Sequence, residues 1–594
     1  MRIVQCQFET WNGAFERCSG AVSSLLAFCM LAVASLAADA DLILHHGRIV
    51  TVDDAFSIRE AIAVWEGNVV RVGSDEEILK LRGGSTEVID LSGRILIPGL
   101  MDSHTHPDGA CMTEFDHPIP DMQSIGDVLD HVKARAQVVK EGEWIVLSQV
   151  FITRLREQRY PTRAELDLAA PRHPVLFRTG PDASLNTLAL QLSGIDRDFK
   201  VTDGGGGFAE KDPATGEPTG ILRNCTGSVK VVQSSRTASD AERLARLKEL
   251  FADYNSVGIT SICDRDASLD AIERYRQLRE EGALTVRVSC SQGIGSGGEI
   301  AKIQAQIQSV ARNPLHTERD DWLRIIGIKM YLDGGMLTGS AYMRQPWGVS
   351  ATYSITDPAY RGVLFIPRER LLPLVRTTVE SGLAFTAHSV GDGAVHELLD
   401  VYDELAKAGL PVRETRSSIT HSNFMSAEAV AQAARLGVML DVQPVWLHLD
   451  GRTLVKQFGD ERLRWFQPMH SLFAAGVNVG GGSDHMQKIG SLRSVNPYNP
   501  FLGIATAVTR RARGMDAPLH PEEALTREQA LRLYTINNAR LLHCEDRRGS
   551  LEPGKLADFA VLDTDLLTCS DERIAKTKVL RTYVGGTLVF ERGR

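Results

Sequence analysis

The middle of this 594-residue chain alternates short apolar segments with amphipathic segments of helical period, and this alternation constrains the fold most strongly. A strand, a crossover helix and the next parallel strand form the repeating unit of α/β proteins. One helical segment, 239–256, begins with a serine suited to an N-cap. The eight strand candidates are residues 95–101, 258–264, 284–291, 324–332, 383–388, 417–421, 438–442 and 477–482. Eight such units predict the α/β class and a TIM-like (β/α)8 barrel.

Both ends of the chain contain segments of β type. They are rich in apolar and β-branched residues, and Glu66-Gly67-Asn68 interrupts one of them as a hairpin turn would. These segments are residues 41–52, 61–72, 554–562 and 579–590. Because the whole alternating region separates them, we predict one small β-sandwich built jointly from residues 39–95 and 545–594.

The first and second strand candidates are separated by about 150 residues, far more than one crossover needs. This stretch has apolar runs of its own at 144–150 and 174–178. We therefore predict an inserted α/β subdomain at about residues 115–238, covering the mouth of a barrel that spans residues 96–544.

The first 38 residues differ from the rest of the chain. Arg2 and Arg17 precede an apolar run at 21–33, and small residues follow that run. This order is typical of a secretory signal peptide, and the run is short for a bilayer-spanning helix. We predict a signal peptide at residues 1–38, its cleavage, and export to the periplasm or the extracellular space. An uncleaved anchor and a mis-assigned start codon are the alternatives.

Charge and cysteine content exclude several functions. The formal net charge is −9 and the chain has no long basic run, so nucleic acid is not expected as a partner. The nine cysteines form no Cys-x-x-Cys pair, which argues against a zinc finger. The expected partner is a small-molecule substrate, with no membrane contact after the leader is removed. The oligomeric state stays open, a homodimer being one option.

The segment 96–107 ends in a His-x-His pair, His104 and His106. Side chains two apart on a strand point to the same side, so both imidazoles face one point in space. Neutral imidazole is a common ligand of zinc and related metals. An apolar run precedes the pair, which places the histidines where a buried strand leaves the core.

Four further polar residues lie at the ends of predicted strands: Lys329, His388, His421 and Asp484. In a parallel barrel the carboxyl ends of the strands meet on one face, where active sites are built. Together with the His-x-His pair, these side chains predict a binuclear metal site.

These motifs in combination resemble the amidohydrolase superfamily. The Lys-x-x-x-Asp-Gly element at 329–334, the Ala-His-Ser-Val-Gly-Asp element at 387–392 and the long insertion resemble amidohydrolase family 3, the YtcJ-like group. N-substituted formamide deformylases belong to that branch. The resemblance covers residues 41–594.

The resemblance implies a role for each of the six residues. His104 and His106 would hold the more buried of two metal ions, and His388 and His421 would hold the other. Lys329, carbamylated, would bridge the two ions, as a lysine in a buried site is readily deprotonated. Asp484 would bind the first ion and act as the catalytic general base. The implied cofactor is a pair of divalent ions, zinc foremost, with manganese or iron as alternatives.

The implied activity is that of a metal-dependent amidohydrolase. It would cleave a non-peptide C–N bond, of amide or N-formyl type, by metal-activated hydroxide. The same site would also suit an aminohydrolase, an esterase or a lactonase. The deaminases of the superfamily carry a His-x-x-Glu pattern that His388-Ser389-Val390-Gly391 does not give. A non-catalytic scaffold is a third interpretation, which the retention of all six residues disfavours.

The chain departs from its relatives in two segments of the insertion. Many relatives have Asp-Gly-His where this chain has Thr-Gly-Pro-Asp at 179–182, so the histidine is missing, although Asn186 remains. A glutamate after the Gly-x-Leu-x element is also replaced, since the chain reads Gly-Ile-Leu-Arg-Asn at 220–224. Both departures bear on the substrate.

Several residues keep two interpretations at this point. Lys329 could pair with Asp333 instead of being carbamylated, and His485 could face the site or solvent. Asp264-Arg265-Asp266 could contact substrate or cap a helix. Residues 443–446 could line the pocket or only pack.

Overall fold

The computed structural model describes residues 39–148, 150–202, 207–232, 237–318 and 320–593. The leader predicted at residues 1–38 lies outside the described residues. Among the described helices, none has both the length and the apolar character that crossing a bilayer requires.

The centre of the chain forms an eight-stranded parallel sheet in which sequential strands are neighbours, and this confirms the predicted α/β barrel class. Its strands are β8 (Leu100–Thr105), β14 (Ile259–Ala267), β15 (Arg287–Gly293), β16 (Leu323–Tyr331), β17 (Ala384–Ser389), β18 (Ser418–His421), β19 (Met439–Val442) and β20 (Val479–Gly481). The observed strands overlap all eight predicted segments, with ends shifted by a few residues.

The barrel closes between its last and first strands through the segment that follows β20. The backbone N–H of Asp484 donates to the carbonyl of His104 at 2.8 Å, and the N–H of His106 donates to the carbonyl of His485 at 2.8 Å. The seam of the barrel therefore brings Asp484 beside the His-x-His pair.

Helices cover the outside of the barrel and pack against its strands in one large apolar core. Helix α6 is the predicted segment 239–256, and Ser239 forms a capping box with Glu242 at its start. The described helices are α1 (Asp75–Leu79), α2 (Pro107–Ala110), α3 (Ile125–Ala136), α4 (Arg163–Ala169), α5 (Thr187–Ser193), α6 (Asp240–Ser256), α7 (Leu269–Glu280), α8 (Ile300–Ala311), α9 (Pro314–Thr317), α10 (Arg368–Glu380), α11 (Asp392–Lys407), α12 (Ala427–Leu436), α13 (Pro444–Phe458), α14 (Met469–Ala474), α15 (Pro500–Thr509), α16 (Arg527–Leu533), α17 (Ile536–Leu541) and α18 (Asp571–Ile574).

The two ends of the chain together form a pair of sheets. One has the order β5-β4-β1-β6 and the other the order β23-β22-β21-β7-β2-β3, so the second contains strands from both ends. An apolar cluster that includes Leu44, Leu96 and Phe559 draws on both sheets. These strands are β1 (Ala40–His45), β2 (Arg48–Val50), β3 (Ile58–Arg59), β4 (Ala61–Trp65), β5 (Asn68–Gly73), β6 (Arg82–Asp90), β7 (Ile95–Pro98), β21 (Phe559–Leu562), β22 (Val579–Val584) and β23 (Thr587–Glu591).

The segment predicted as one strand, 95–101, is divided between two sheets. Strand β7 pairs antiparallel with β21, whereas β8 belongs to the barrel. Gly99 makes the junction, and a Cβ at this position would lie 2.2 Å from the Thr260 hydroxyl. A continuous apolar run cannot reveal the break, because both halves are buried.

The long insertion forms a five-stranded sheet of the order β12-β13-β11-β10-β9. The apolar runs at 144–150 and 174–178 overlap its parallel pair, β9 and β10. Its strands are β9 (Ile145–Ser148), β10 (Val175–Thr179), β11 (Asp182–Leu185), β12 (Phe208–Lys211) and β13 (Pro218–Arg223). The sheet contributes residues to the same cavity as the barrel strands, as described below.

Candidate metal centre

All six predicted site residues line one cavity of about 660 Å³ at the carboxyl ends of the barrel strands. His104 lies in β8, Lys329 in β16, His388 in β17 and His421 at the end of β18. His106 directly follows β8, and Asp484 follows β20. The topology of the barrel thus brings together side chains that are far apart in the sequence.

Three donor atoms converge most closely. The Nε2 atoms of His104 and His106 are 3.2 Å apart. Oδ1 of Asp484 lies 3.3 Å from the first of them and 3.1 Å from the second. Within the part of the chain that the structure describes, this is the one group of three His, Cys, Asp or Glu side chains close enough to hold a metal ion.

The backbone around Asp484 is shaped to bring its carboxylate to the two histidines. Asp484 has a φ of 57°, in the left-handed region that non-glycine residues rarely adopt. Gly482, two residues before it, packs so closely that a Cβ would lie 2.8 Å from the backbone nitrogen of His104. Such strain is typical of functional sites held by the surrounding structure.

Asp441 orients His104 from outside the cavity. Its Oδ1 lies 3.1 Å from Nδ1 of His104, which leaves Nε2 of that ring directed at the other donors. Thr420 donates to the same carboxylate at 3.0 Å, and Nε of Arg265 lies 3.3 Å from it. A carboxylate behind a histidine is the usual outer partner of a metal-binding imidazole.

His388 and His421 form the second half of the site. Nδ1 of His421 lies 2.7 Å from Oε1 of Gln443, so its Nε2 is available to a ligand. Nε2 of His388 lies 3.3 Å from the carbonyl of Gly334, which leaves Nδ1 available. The two ring centroids are 4.5 Å apart, and the His421 ring also stacks on Trp446.

Lys329 lies in the same cavity with an unusual environment. Its side chain is 1% exposed, and its Nζ has no hydrogen-bond partner among the described residues. Burial lowers the pKa of its ammonium group, and the carboxylates of Asp441, Asp266 and Asp484 only partly oppose this. A buried amine of lowered pKa is the form of lysine that reacts as a nucleophile.

Burial also keeps most of the imidazoles neutral. It lowers the pKa of His104 and His421 well below the usual value, and that of His388 to about 3. His106 differs: burial alone would lower its pKa, but the neighbouring Asp484 carboxylate outweighs burial and raises it. Neutral imidazole nitrogens and a carboxylate, converging in a buried site, fit a divalent metal ion such as zinc, manganese or iron.

The rest of the cavity is lined by both polar and apolar side chains. Asp264, Asp266 and Tyr331 are among the polar ones, and the Tyr331 hydroxyl donates to Asp266 at 3.0 Å. The apolar lining side chains are Phe151, Ile294, Met336, Leu337, Phe365, Val390, Trp446 and Met486. This arrangement suits a small molecule that combines an apolar group with a polar reacting group.

The two segments of the insertion that depart from the pattern of the relatives, 179–182 and 220–224, both reach this cavity. Gly180 and Pro181 line it from one segment and Asn224 from the other. Asn186 does not: its amide caps helix α5 and bonds to the backbone at His173 and Val175. The two departures therefore alter the walls of the cavity.

Asp333 and His485, whose roles the sequence left open, both have contacts that support the structure. Asp333 accepts hydrogen bonds from the backbone N–H groups of Tyr342, Val390 and Gly391. His485 is buried away from the cavity, with Nδ1 2.7 Å from the Tyr254 hydroxyl and Nε2 near two carbonyls. Asp333 therefore holds the loops around His388 rather than forming a close ion pair with Lys329.

The sequence analysis did not identify the residues that contact the site residues from outside the cavity, such as Asp441 and Asn496. Asp441 left one signal, since it is the charged residue of the otherwise apolar strand β19. Asn496, which contacts Asp484, lies in a loop of polar residues and left none.

Comparison with known proteins agrees with this geometry. A sequence profile described as the amidohydrolase family matches residues 87–590. An N-substituted formamide deformylase from Arthrobacter pascens is 28% identical over 568 residues, covering 93% of this chain and 98% of that protein. A putative amidohydrolase, YtcJ, from Bacillus subtilis is 25% identical, covering 92% and 99%. The crystal structure of an uncharacterized metal-dependent hydrolase from Pyrococcus horikoshii shares the fold, with a TM-score of 0.63, 23% identity, and coverage of 89% of this chain and 99% of that one.

Proposed function

Because the chain belongs to the amidohydrolase family, we propose that it is a metal-dependent hydrolase that cleaves a non-peptide C–N bond of a small molecule. The bond would be an amide or N-formyl bond. One observation carries the proposal: His104, His106, Lys329, His388, His421 and Asp484 line a single cavity, and three of them place donor atoms within 4.8 Å of one another.

We propose that these residues hold two ions, zinc foremost. His104, His106 and Asp484 would hold one, and His388 and His421 the other. Lys329 would contribute to both as a carbamate, which its lowered pKa and its lack of a hydrogen-bond partner favour. When bound there, divalent ions supply Lewis acidity that activates water and polarises a carbonyl.

Asp484 would move the proton in this reaction. Burial raises the pKa of its carboxyl group, which makes it a better base than an exposed aspartate. It would take a proton from the attacking water and deliver it to the leaving nitrogen, so that the amine departs neutral.

The walls of the cavity would select the substrate. The apolar lining side chains would bind an apolar substituent and keep water from the reacting bond. The formamide deformylase from Arthrobacter pascens is 28% identical across nearly its whole length, which supports a C–N bond as the target. The altered segments at Pro181 and Asn224 would shift the preference within that class.

A hydrolysis screen tests this proposal. Metal-free protein is reconstituted with Zn²⁺, Mn²⁺ or Fe²⁺ and incubated with N-formyl amines, N-acyl amines and cyclic amides. We expect release of the amine together with formate or another carboxylate. Turnover of esters or lactones alone would contradict the C–N assignment, and ammonia release from heterocycles alone would contradict the amide or N-formyl assignment. No turnover with any loaded metal would contradict the proposed activity.

The variant Asp484→Asn tests the role of the base. We expect kcat to fall by about 10²- to 10⁴-fold, because the amide cannot accept the proton. Asp392→Asn is the matched control, since Asp392 lies at the start of α11 outside the cavity, and it should keep wild-type turnover. Wild-type kcat in Asp484→Asn would assign the base elsewhere.

A further inference from the structure

The carboxylate of Asp484 has a second partner on the side away from the histidines. Oδ1 faces His104 and His106, whereas Oδ2 accepts a hydrogen bond from Nδ2 of Asn496 at 3.3 Å. The same Nδ2 donates to the backbone carbonyl of Asp484 at 2.8 Å. One amide group therefore holds both the side chain and the strained backbone of Asp484.

The orientation of this amide is fixed by an arginine. Nη1 of Arg154 donates to Oδ1 of Asn496 at 3.1 Å. Because a guanidinium group can only donate, the amide oxygen must face Arg154 and the amide NH₂ must face Asp484. Asn496 is 1% exposed, so no bulk water competes for these bonds.

Arg154 is itself held by a buried carboxylate. Its Nε and Nη2 bond to the two oxygens of Asp450, at 3.2 and 2.8 Å. The hydroxyl of Thr153 donates to the same carboxylate at 2.9 Å. Arg154 belongs to a short 3-10 helix of the insertion, at Ile152–Arg154, whereas Asp450 lies in barrel helix α13. A chain of buried polar contacts thus connects the insertion to Asp484.

We propose that Asn496 is a positioning residue for Asp484 and that Arg154 fixes the orientation of its amide. Asn496 acts through Asp484 and is not among the residues that line the cavity. Its role in turnover rests on the proposed hydrolase function, whereas its effect on the geometry of Asp484 does not. The insertion accordingly shapes the reaction as well as the cavity wall.

Two substitutions at one position separate positioning from structural support. Asn496→Asp keeps the size of the side chain and strengthens the pair with Arg154, but it replaces the donor to Asp484 by an acceptor. Asn496→Ala removes both contacts. If Asn496 only supported the loop, Asn496→Asp would be the milder change. We expect Asn496→Asp to be at least as damaging. In Asn496→Ala, kcat should fall about 10- to 100-fold, and in Asn496→Asp it should fall at least as much, while KM stays within twofold of wild type in both variants.

A second measurement needs no turnover. The affinity of each metal-free variant for Co²⁺ is measured by titration calorimetry, with Co²⁺ replacing the native ion. We expect Asn496→Asp to bind Co²⁺ about tenfold more weakly than wild type while its thermal midpoint stays close to wild type. Thr153→Val is the matched control, since it removes a bond to Asp450 without touching Asn496, and its Co²⁺ affinity should not change.

The outcomes are distinct. Co²⁺ affinity and kcat within twofold of wild type in Asn496→Asp would overturn the positioning role. A larger loss in Asn496→Ala than in Asn496→Asp, together with a lowered thermal midpoint, would also overturn it in favour of structural support. Wild-type protein that binds Co²⁺ but hydrolyses none of the compounds screened would overturn the proposed function alone, and the Co²⁺ comparison would still decide the role of Asn496. Wild-type protein that binds no Co²⁺ would overturn both.

Discussion

Two buried lysines of this protein have opposite surroundings. Nζ of Lys488 lies 3.0 Å from a carboxylate oxygen of Asp121 and 3.5 Å from the carbonyl of Pro120. Nζ of Lys329 has no hydrogen-bond partner among the described residues, although both lysines are at most 3% exposed. An unpaired buried ammonium is costly, so Lys329 is the lysine driven towards its neutral and reactive form.

This contrast gives a prediction for Lys329→Met. If Lys329 bridges two ions as proposed, the metal content should fall from about two ions per chain to one or fewer, and kcat should fall by about 100-fold, because the bridging anion would be lost. Lys488→Met is the control and should keep both ions. Elemental analysis measures the metal. After incubation with labelled bicarbonate, ¹³C NMR should show a carbamate carbon in wild type and in Lys488→Met but not in Lys329→Met. Two retained ions in Lys329→Met would contradict the bridging role.

The sequence predicted the residues that meet in the cavity but not those that hold them. His104 and Asp484 stand in motifs whose strand-end positions can be read along the chain. Arg154 and Asn496 owe their positions to contacts between distant segments, and no local pattern distinguishes them from ordinary polar residues. Asp441 left a single signal, as the charged residue of the otherwise apolar strand β19. The orientation of the site depends on those distant contacts.

At the level of single elements, sequence patterns predicted strands and helices that are apolar or well capped. Helix α6 begins at Asp240, directly after its predicted cap, Ser239. The division of segment 95–101 was not predictable, because whether Ile95–Pro98 pairs with the barrel or with β21 is decided by a strand at the other end of the chain. Local periodicity contains no information about such a partner.

Helix α4 in the insertion provides a pH-dependent test. Glu165 completes a capping box with Thr162 and pairs with Arg159. The hydrogen bonds from Arg159 and Thr162 outweigh burial and lower the pKa of the Glu165 carboxyl group to about 2. Because the pKa is lower in the folded state than its value of about 4.3 in the unfolded state, the charged carboxylate stabilises the folded protein. This stabilisation is fully present above about pH 4.3 and is lost as the pH falls towards 2.

We therefore expect Glu165→Gln to destabilise the metal-free protein by about 1 kcal/mol at pH 7, and the difference from wild type to shrink between pH 4.5 and 2. Thermal unfolding at a series of pH values measures this. Glu141→Gln, at a side chain that is 67% exposed, is the control and should differ little from wild type at any pH. A difference independent of pH would contradict a role of the Glu165 charge.

At the scale of the whole molecule, one buried ion pair joins the barrel to the terminal sheets. Arg287, the first residue of β15, bonds to both oxygens of Asp558 at 2.7 and 2.9 Å. Asp558 precedes β21, and it also accepts from the N–H of Gly585 and, through its carbonyl, from Gly99. The charges of Arg287 and Arg548, with the hydrogen bonds from Arg287 and Gly585, outweigh burial and lower the pKa of Asp558.

Breaking this pair should weaken the whole protein without changing the cavity. We expect Asp558→Asn to lower the free energy of unfolding by about 3–5 kcal/mol, because the buried Arg287 loses the carboxylate that it is paired with. The double variant Arg287→Met/Asp558→Leu should recover much of the loss. Glu217→Gln, which breaks a half-exposed pair with Arg197, is the control and should have a much smaller effect. Denaturant titration measures all three, and equal losses in the single and double variants would contradict this explanation.

The pairing of β7 with β21 has a consequence for synthesis on the ribosome. β7 runs directly into the strand that bears His104, yet its neighbour β21 is translated only after the whole barrel. The nascent polypeptide must therefore keep that edge unpaired until its final residues emerge, and a product truncated before residue 559 would expose it permanently. The β7 edge is accordingly expected to become buried only once residues 559–562 are available to pair with it.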